Sequence, residues 1–173
     1  MRYMLDTNIC IYVIKHKPEK VFRKLQETDP EDVCISSVTY AELACGVEKS
    51  NAVEKNRVAL ITLLAKQEIL DFDVAAADEY GKVRADLEKR GMPIGPLDMM
   101  IAGHARSLGY TLVTNNMKEF SCVRDLKTEN WAGYRSTDSA SCSACPETRG
   151  GSEAGTLTDV KSPAPKSREE EVN

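Results

Sequence analysis

The chain has 173 residues, 42% hydrophobic and 29% charged, with a formal net charge of −4. That is length enough for one domain with its own core and no disulfide staples. The acidic balance excludes a basic domain that coats nucleic acid without specificity, and no apolar run reaches the ~18 residues of a membrane span.

In chain order, Arg2–Leu5 is a short apolar run and reads as a strand. Pro18–Thr28 places Val21, Phe22 and Leu25 at helical spacing, with Pro18 suited to a first turn. Asp32–Ser36 carries Val33, Cys34 and Ile35, a second strand. Ser37–Lys49 reads as a helix capped by Ser36 or Ser37, and Ala52–Lys66 as another with Val53, Leu60 and Leu64 on one face. A short apolar stretch follows at Glu68–Phe72. Asp73 can cap a long helix that runs to Arg90 and stops at Gly91. Gly95-Pro96 opens the next helix, with Leu97, Ile101, Ala105 and Leu108 in step; Gly109 ends it and Tyr110–Val113 is a strand. Strands separated by helices imply an α/β fold, a mainly parallel central sheet covered on both faces.

The pattern changes after Trp131. Residues 133–173 lose apolar periodicity and are dominated by Ser, Thr, Gly and Pro. They carry five Lys/Arg and seven Asp/Glu, a net −2, which leaves −2 for residues 1–132. The expected division is a folded domain over 1–132 and a disordered tail over 133–173. Of the six cysteines, Cys10, Cys34, Cys45 and Cys122 sit singly in apolar segments and read as small hydrophobes. Cys142 and Cys145 form one C-x-x-C with no second ligand pair, so no structural zinc is expected. Met1–Asp6 lacks the apolar stretch of a signal peptide, which makes a reducing cytoplasm the expected compartment.

In parallel sheets ligands sit at the carboxyl ends of the strands. Asp6-Thr7-Asn8 follows the first strand directly, and Thr114-Asn115-Asn116 follows the last. Glu42 lies in the helix after the second strand, and Asp98 near the start of the Gly95-Pro96 helix. Singly, each acid has a plain explanation: Asp6 as an N-cap, Glu42 as a solvated face, Asp98 as a first-turn acid favoured by the helix dipole. Together they put three carboxylates at corresponding ends of the elements. Repelling carboxylates at short range need a cation, and an all-oxygen set suits Mg²⁺ or Mn²⁺. Such an ion can activate water and stabilise in-line phosphoryl displacement.

The stretches M-L-D-T-N-I, S-S-V-T-Y-A-E-L, I-G-P-L-D-M-M-I-A-G-H-A and T-L-V-T-N-N-M-K-E-F resemble the PIN-domain family, and within it the VapC toxins of bacterial VapBC toxin–antitoxin pairs. The resemblance spans residues 1 to about 132, essentially the whole folded part. It implies a PIN-like three-layer α/β/α fold and an endoribonuclease dependent on Mg²⁺ or Mn²⁺. Its target would be a structured RNA, often tRNA, cut to block translation. It also implies a homodimer, silenced by a VapB-like antitoxin that occludes the active site, with operator DNA bound only through that antitoxin. Asp6, Glu42 and Asp98 match the family's acids; Asp6 and Asp98 are the expected metal ligands. The fourth acidic position of many members is Asn116 here, able to offer a carbonyl oxygen but no charge. Thr7, Asn8, Thr114 and Asn115 are expected to orient the acids.

Candidate RNA contacts are Lys15, His16, Lys17, Lys20, Arg23 and Lys24, or Lys82, Arg84, Lys89 and Arg90, although each taken singly reads as a solvated surface charge; Tyr12, Phe22 and Tyr40 read as core or interface residues rather than base readers. Two other classes fit part of the pattern. One is a catalytically weak PIN domain that only binds RNA or a partner, motivated by Asn116. The other is an aspartyl-phosphate phosphatase built on Asp6, although Asn8 stands where that chemistry usually wants a second Asp.

Overall fold

The structure, a computed structural model, describes residues 1–133. The tail expected beyond Gly133 and the Cys142–Cys145 pair lie outside the described residues.

Five strands form one sheet: β1 (Tyr3–Leu5), β2 (Val33–Ser36), β3 (Glu68–Leu70), β4 (Thr111–Val113) and β5 (Lys127–Glu129). Their order is β3-β2-β1-β4-β5, and every pairing is parallel. The helices are α1 (Thr7–Lys15), α2 (Glu19–Glu27), α3 (Ser37–Glu48), α4 (Val53–Leu64), α5 (Val74–Lys89), α6 (Pro96–Ser107) and α7 (Met117–Phe120). The three central strands, β1, β2 and β4, are short and buried on both faces. Side chains alternate along them, so each strand feeds two cores. Leu5, Val33, Ile35 and Val113 join α1–α4 in one core with Ile9, Val13 and Leu60. Met4, Cys34 and Leu112 join α5–α7 in the other with Val83, Leu87, Ile101 and Phe120. The result is the expected three-layer α/β/α arrangement.

Helix limits follow local chemistry. Ser36 accepts the Val38 N–H at 3.1 Å and caps α3; Asp73 accepts the Ala76 N–H at 2.9 Å and caps α5. Gly91 and Gly109 take left-handed backbone, φ +66° and +68°, just past α5 and α6. Where α5 and α6 cross, Gly103 leaves no space: a Cβ there would lie 2.6 Å from the Tyr80 backbone nitrogen.

Some expectations shift. Within α6 the buried residues are Met99, Ile101, Ala102, Gly103, His104 and Ala105, whereas Leu97 and, just past the helix, Leu108 are exposed. Cys45 is exposed, Cys10 and Cys34 are core hydrophobes, and half-buried Cys122 packs against the second core. Pro18 caps α2 rather than entering it. Helices α1 and α7 and strand β5 were not expected. Among the described residues no helix is long and apolar enough to cross a membrane.

Candidate active site

The chain builds β1, moves outward to β2 and β3, then returns to lay β4 against the other side of β1. Elements leaving β1 and β4 therefore diverge and open a crevice at their carboxyl ends. Asp6 leaves β1 there, its backbone N–H on the Val113 carbonyl at 2.9 Å. It is both a helix cap and a buried acid. Its Oδ1 accepts the Thr7 N–H at 2.7 Å, and its Oδ2 accepts the Thr114 hydroxyl at 2.8 Å. The Thr114 oxygen in turn accepts the Asn116 N–H at 2.9 Å, so the turn after β4 is locked to the acid.

Glu42 reaches the same crevice from α3. Its Oε2 accepts the Thr7 hydroxyl at 2.6 Å, so it is not a solvated-face glutamate. Asp98 comes from the first turn of α6, and Gly95 makes room for it: a Cβ on Gly95 would sit 2.9 Å from Asp98 Oδ2.

Electrostatics link these acids. Burial raises the Asp6 pKa, offset by hydrogen bonds from Thr114, Thr7 and Asn8, and Glu42 raises it further. Asp98 is pushed up to about 7, first by burial, then by a hydrogen bond with the Glu119 carboxyl and the negative charge of Asp6, Glu119 and Glu42. Glu119 is the acid that sequence reasoning missed. It lies in the first turn of α7, three residues after Asn116. The four-residue helix is too short to show periodicity; the one available signal was an acid three positions after the polar turn. Asn116 caps α7 without a side-chain bond to the helix end, and its recorded tie to the acids is its backbone N–H. Asn115 turns away from the carboxylates, and its Nδ2 donates to the Tyr12 hydroxyl at 3.2 Å.

The expected basic contacts are partly committed elsewhere. Arg23 pairs with Glu19, Lys82 with Glu79, Arg84 with Glu88, and Arg90 with Asp86. A cavity of about 580 Å³ opens between α1, α2 and α4, but none of the four acids lines it.

Among the described residues no three His, Cys, Asp or Glu side chains draw together tightly enough to form a ready metal cage. Both Asp6 oxygens are held by Thr7 and Thr114. The donors nevertheless fit a hard divalent cation in kind. All are oxygens, and burial together with neighbouring negative charge raises the pKa of two of the acids, Asp6 and Asp98.

The PIN-domain family model matches residues 3–125. The tRNA(fMet)-specific endonuclease VapC of Shigella flexneri is 48% identical over 132 residues, 76% of this chain and 99% of that protein. The Salmonella typhimurium protein of the same name is 44% identical over 131 residues, covering 76% and 98%. Among solved structures, VapBC2 from Rickettsia felis bound to a DNA fragment from their promoter aligns with TM-score 0.72 and 42% identity, over 76% of this chain and 99% of the matched chain. The chain belongs to the PIN-domain family, in its VapC branch.

Proposed function

We propose that this protein is a metal-dependent endoribonuclease, the toxin of a VapBC-type pair, which cuts a structured RNA of the tRNA class and thereby inhibits translation. The observation that carries the reading is the approach of Asp6, Glu42, Asp98 and Glu119, from four separate elements, to one crevice at the carboxyl end of the sheet. The relatives named for tRNA(fMet) cleavage supply the substrate class.

Asp6 and Asp98 would hold Mg²⁺ or Mn²⁺, with Glu42 and Glu119 completing the acidic set. When bound, the ion lowers the pKa of its water and stabilises charge on the phosphate. The chain's own contribution is orientation. Thr114 and the Thr7 N–H fix the two oxygens of Asp6, and the Thr7 hydroxyl fixes Glu42. Glu119 stands against Asp98 and, after burial, is the main cause of its raised pKa. The binding-only alternative rested on Asn116 in the fourth acidic position; Glu119 supplies a fourth carboxylate and removes that motive.

The partners proposed with this activity are a VapB-like antitoxin that silences the enzyme, a second copy of the chain, and operator DNA reached only through the antitoxin. The proposed compartment is the cytoplasm. Purified protein incubated with initiator tRNA and Mg²⁺ or Mn²⁺ tests the reading. Cleavage is expected, abolished by EDTA and by Asp6→Asn with the fold intact. Wild-type cleavage in EDTA, or full activity of the variant, overturns it.

A further inference from the structure

Three neutral polar side chains from three elements meet beside the acids without bonding to them. Tyr12 lies on α1 one turn beyond Asn8, Asn115 follows Thr114, and Asn130 follows β5. Asn115 Nδ2 donates to the Tyr12 hydroxyl oxygen at 3.2 Å, and Asn130 Nδ2 donates to Asn115 Oδ1 at 3.4 Å. Asn130 Oδ1 accepts the Ala132 N–H at 2.8 Å, which orients its amide. The register explains the meeting. Val113 pairs with Glu129, so residues 114 and 130 leave neighbouring strands side by side, at the end where Asp6 leaves β1.

A clamp made only to hold the fold is usually buried and uses its polar groups fully. This one lies at the surface, with Asn115 exposed and Tyr12 and Asn130 half-buried, and its linking bonds, at 3.2 and 3.4 Å, sit at the long end for their type or beyond it. Among the described residues it also keeps donors in hand: the Tyr12 O–H, and one N–H on each of Asn115 and Asn130. The adjacent carboxylates repel a phosphodiester chain. A neutral row of donors beside them can accept RNA oxygens without adding repulsion.

We propose that Tyr12, Asn115 and Asn130 form the edge that holds and reads the nucleotide next to the scissile phosphate. The inference rests on the endoribonuclease reading above and names where that substrate is gripped. The remaining amide N–H groups can donate to acceptor atoms on base edges, which unstacked RNA bases present to proteins. The ring of Tyr12 adds a face for stacking. Tyr12 still packs against the α1–α4 core, as expected, and offers this edge its hydroxyl end.

The test uses the full chain and Tyr12→Phe, Asn115→Ala and Asn130→Ala. Tyr110→Phe is the control, since its hydroxyl accepts from Arg2 at 3.1 Å near the amino end of β4. Binding of a fluorescein-labelled tRNA transcript is read by anisotropy in EDTA. Cleavage is read on an RNA pool randomised around the cut. Each edge variant is expected to weaken binding and raise KM by roughly 3–10-fold, with kcat within about twofold of wild type. Preference at the flanking nucleotide should flatten, and the control should match wild type. Wild-type binding, KM and preference in all three variants overturn the inference. So does a fall in kcat at unchanged KM, the mark of a clamp that only shapes the acids. If the wild-type protein cuts no RNA, the endoribonuclease reading fails by itself. The binding arm then still decides whether this edge grips RNA: weaker binding in the variants upholds it and equal binding overturns it.

Discussion

Thr7 donates its hydroxyl to Oε2 of Glu42 at 2.6 Å while its backbone N–H serves Asp6 at 2.7 Å. One small residue thus sets the positions of acids that arise from β1 and from α3. Replacing it with valine keeps the shape and removes the donor. A hydrogen bond to a charged group contributes about 1.5–3 kcal/mol, so single-turnover cleavage by Thr7→Val should fall roughly 10–100-fold. Thr7→Ser should retain most of the rate. Equal rates for valine and wild type would separate Glu42 from the reaction.

Glu119 should matter more than Asn116. Glu119→Gln removes a carboxylate that hydrogen-bonds Asp98, and cleavage at neutral pH should drop by about tenfold or more. Asn116→Ala keeps the backbone N–H that serves Thr114, so its loss should be smaller. Parallel rate measurements with Mg²⁺ titration distinguish the two, and the reverse ranking would restore Asn116 as the fourth ligand.

The raised pKa of Asp98 has a thermodynamic sign. Its folded value, about 7, lies above the ordinary 3.8, so between these values the native state holds the proton more tightly than the unfolded chain. Its stabilising effect is complete below pH 3.8 and is lost as pH rises through 7. Metal-free protein should therefore melt at a lower temperature at pH 8 than at pH 5.5. Asp98→Asn should flatten that difference, and Mg²⁺ added at pH 8 should raise the midpoint of the wild type. Scanning calorimetry in EDTA and in Mg²⁺ measures all three.

Gly103→Ala should weaken the fold without touching the chemistry. The added methyl meets the Tyr80 backbone at 2.6 Å, where neither helix has a flexible side chain to yield. Overpacking of this kind costs about 1–3 kcal/mol. Urea unfolding should show the loss, while cleavage at low temperature persists.

Much of this architecture is written in local patterns. The long helices announce themselves through Ser36, Asp73, Gly91 and Gly109, and the apolar strands through Val33–Ile35 and Tyr110–Val113. Three elements escape such reading for physical reasons. In α1 the apolar run Ile9–Ile14 has no polar face to mark a helical period. In α7 four residues span little more than a turn. Strand β5, Lys-Thr-Glu, is polar because it is the edge of the sheet. Asp6, Glu42 and Asp98 can be singled out because strand ends and helix starts can be located from sequence, whereas Glu119 sits in a helix too short to be read there. The pairing of the acids was not legible. That Asp98 leans on Glu119, and that Asn115 turns to Tyr12, depends on side-chain directions fixed only when distant segments pack.

The strand order carries a consequence for the growing chain. Residues 6 and 42 are made early, but their crevice is closed by β4, and the remaining acids lie at positions 98 and 119. No amino-terminal fragment that stops short of β4 can assemble the four carboxylates. On the proposed function, a polypeptide still emerging from the ribosome would be harmless to the RNA around it until nearly the whole domain has been synthesised.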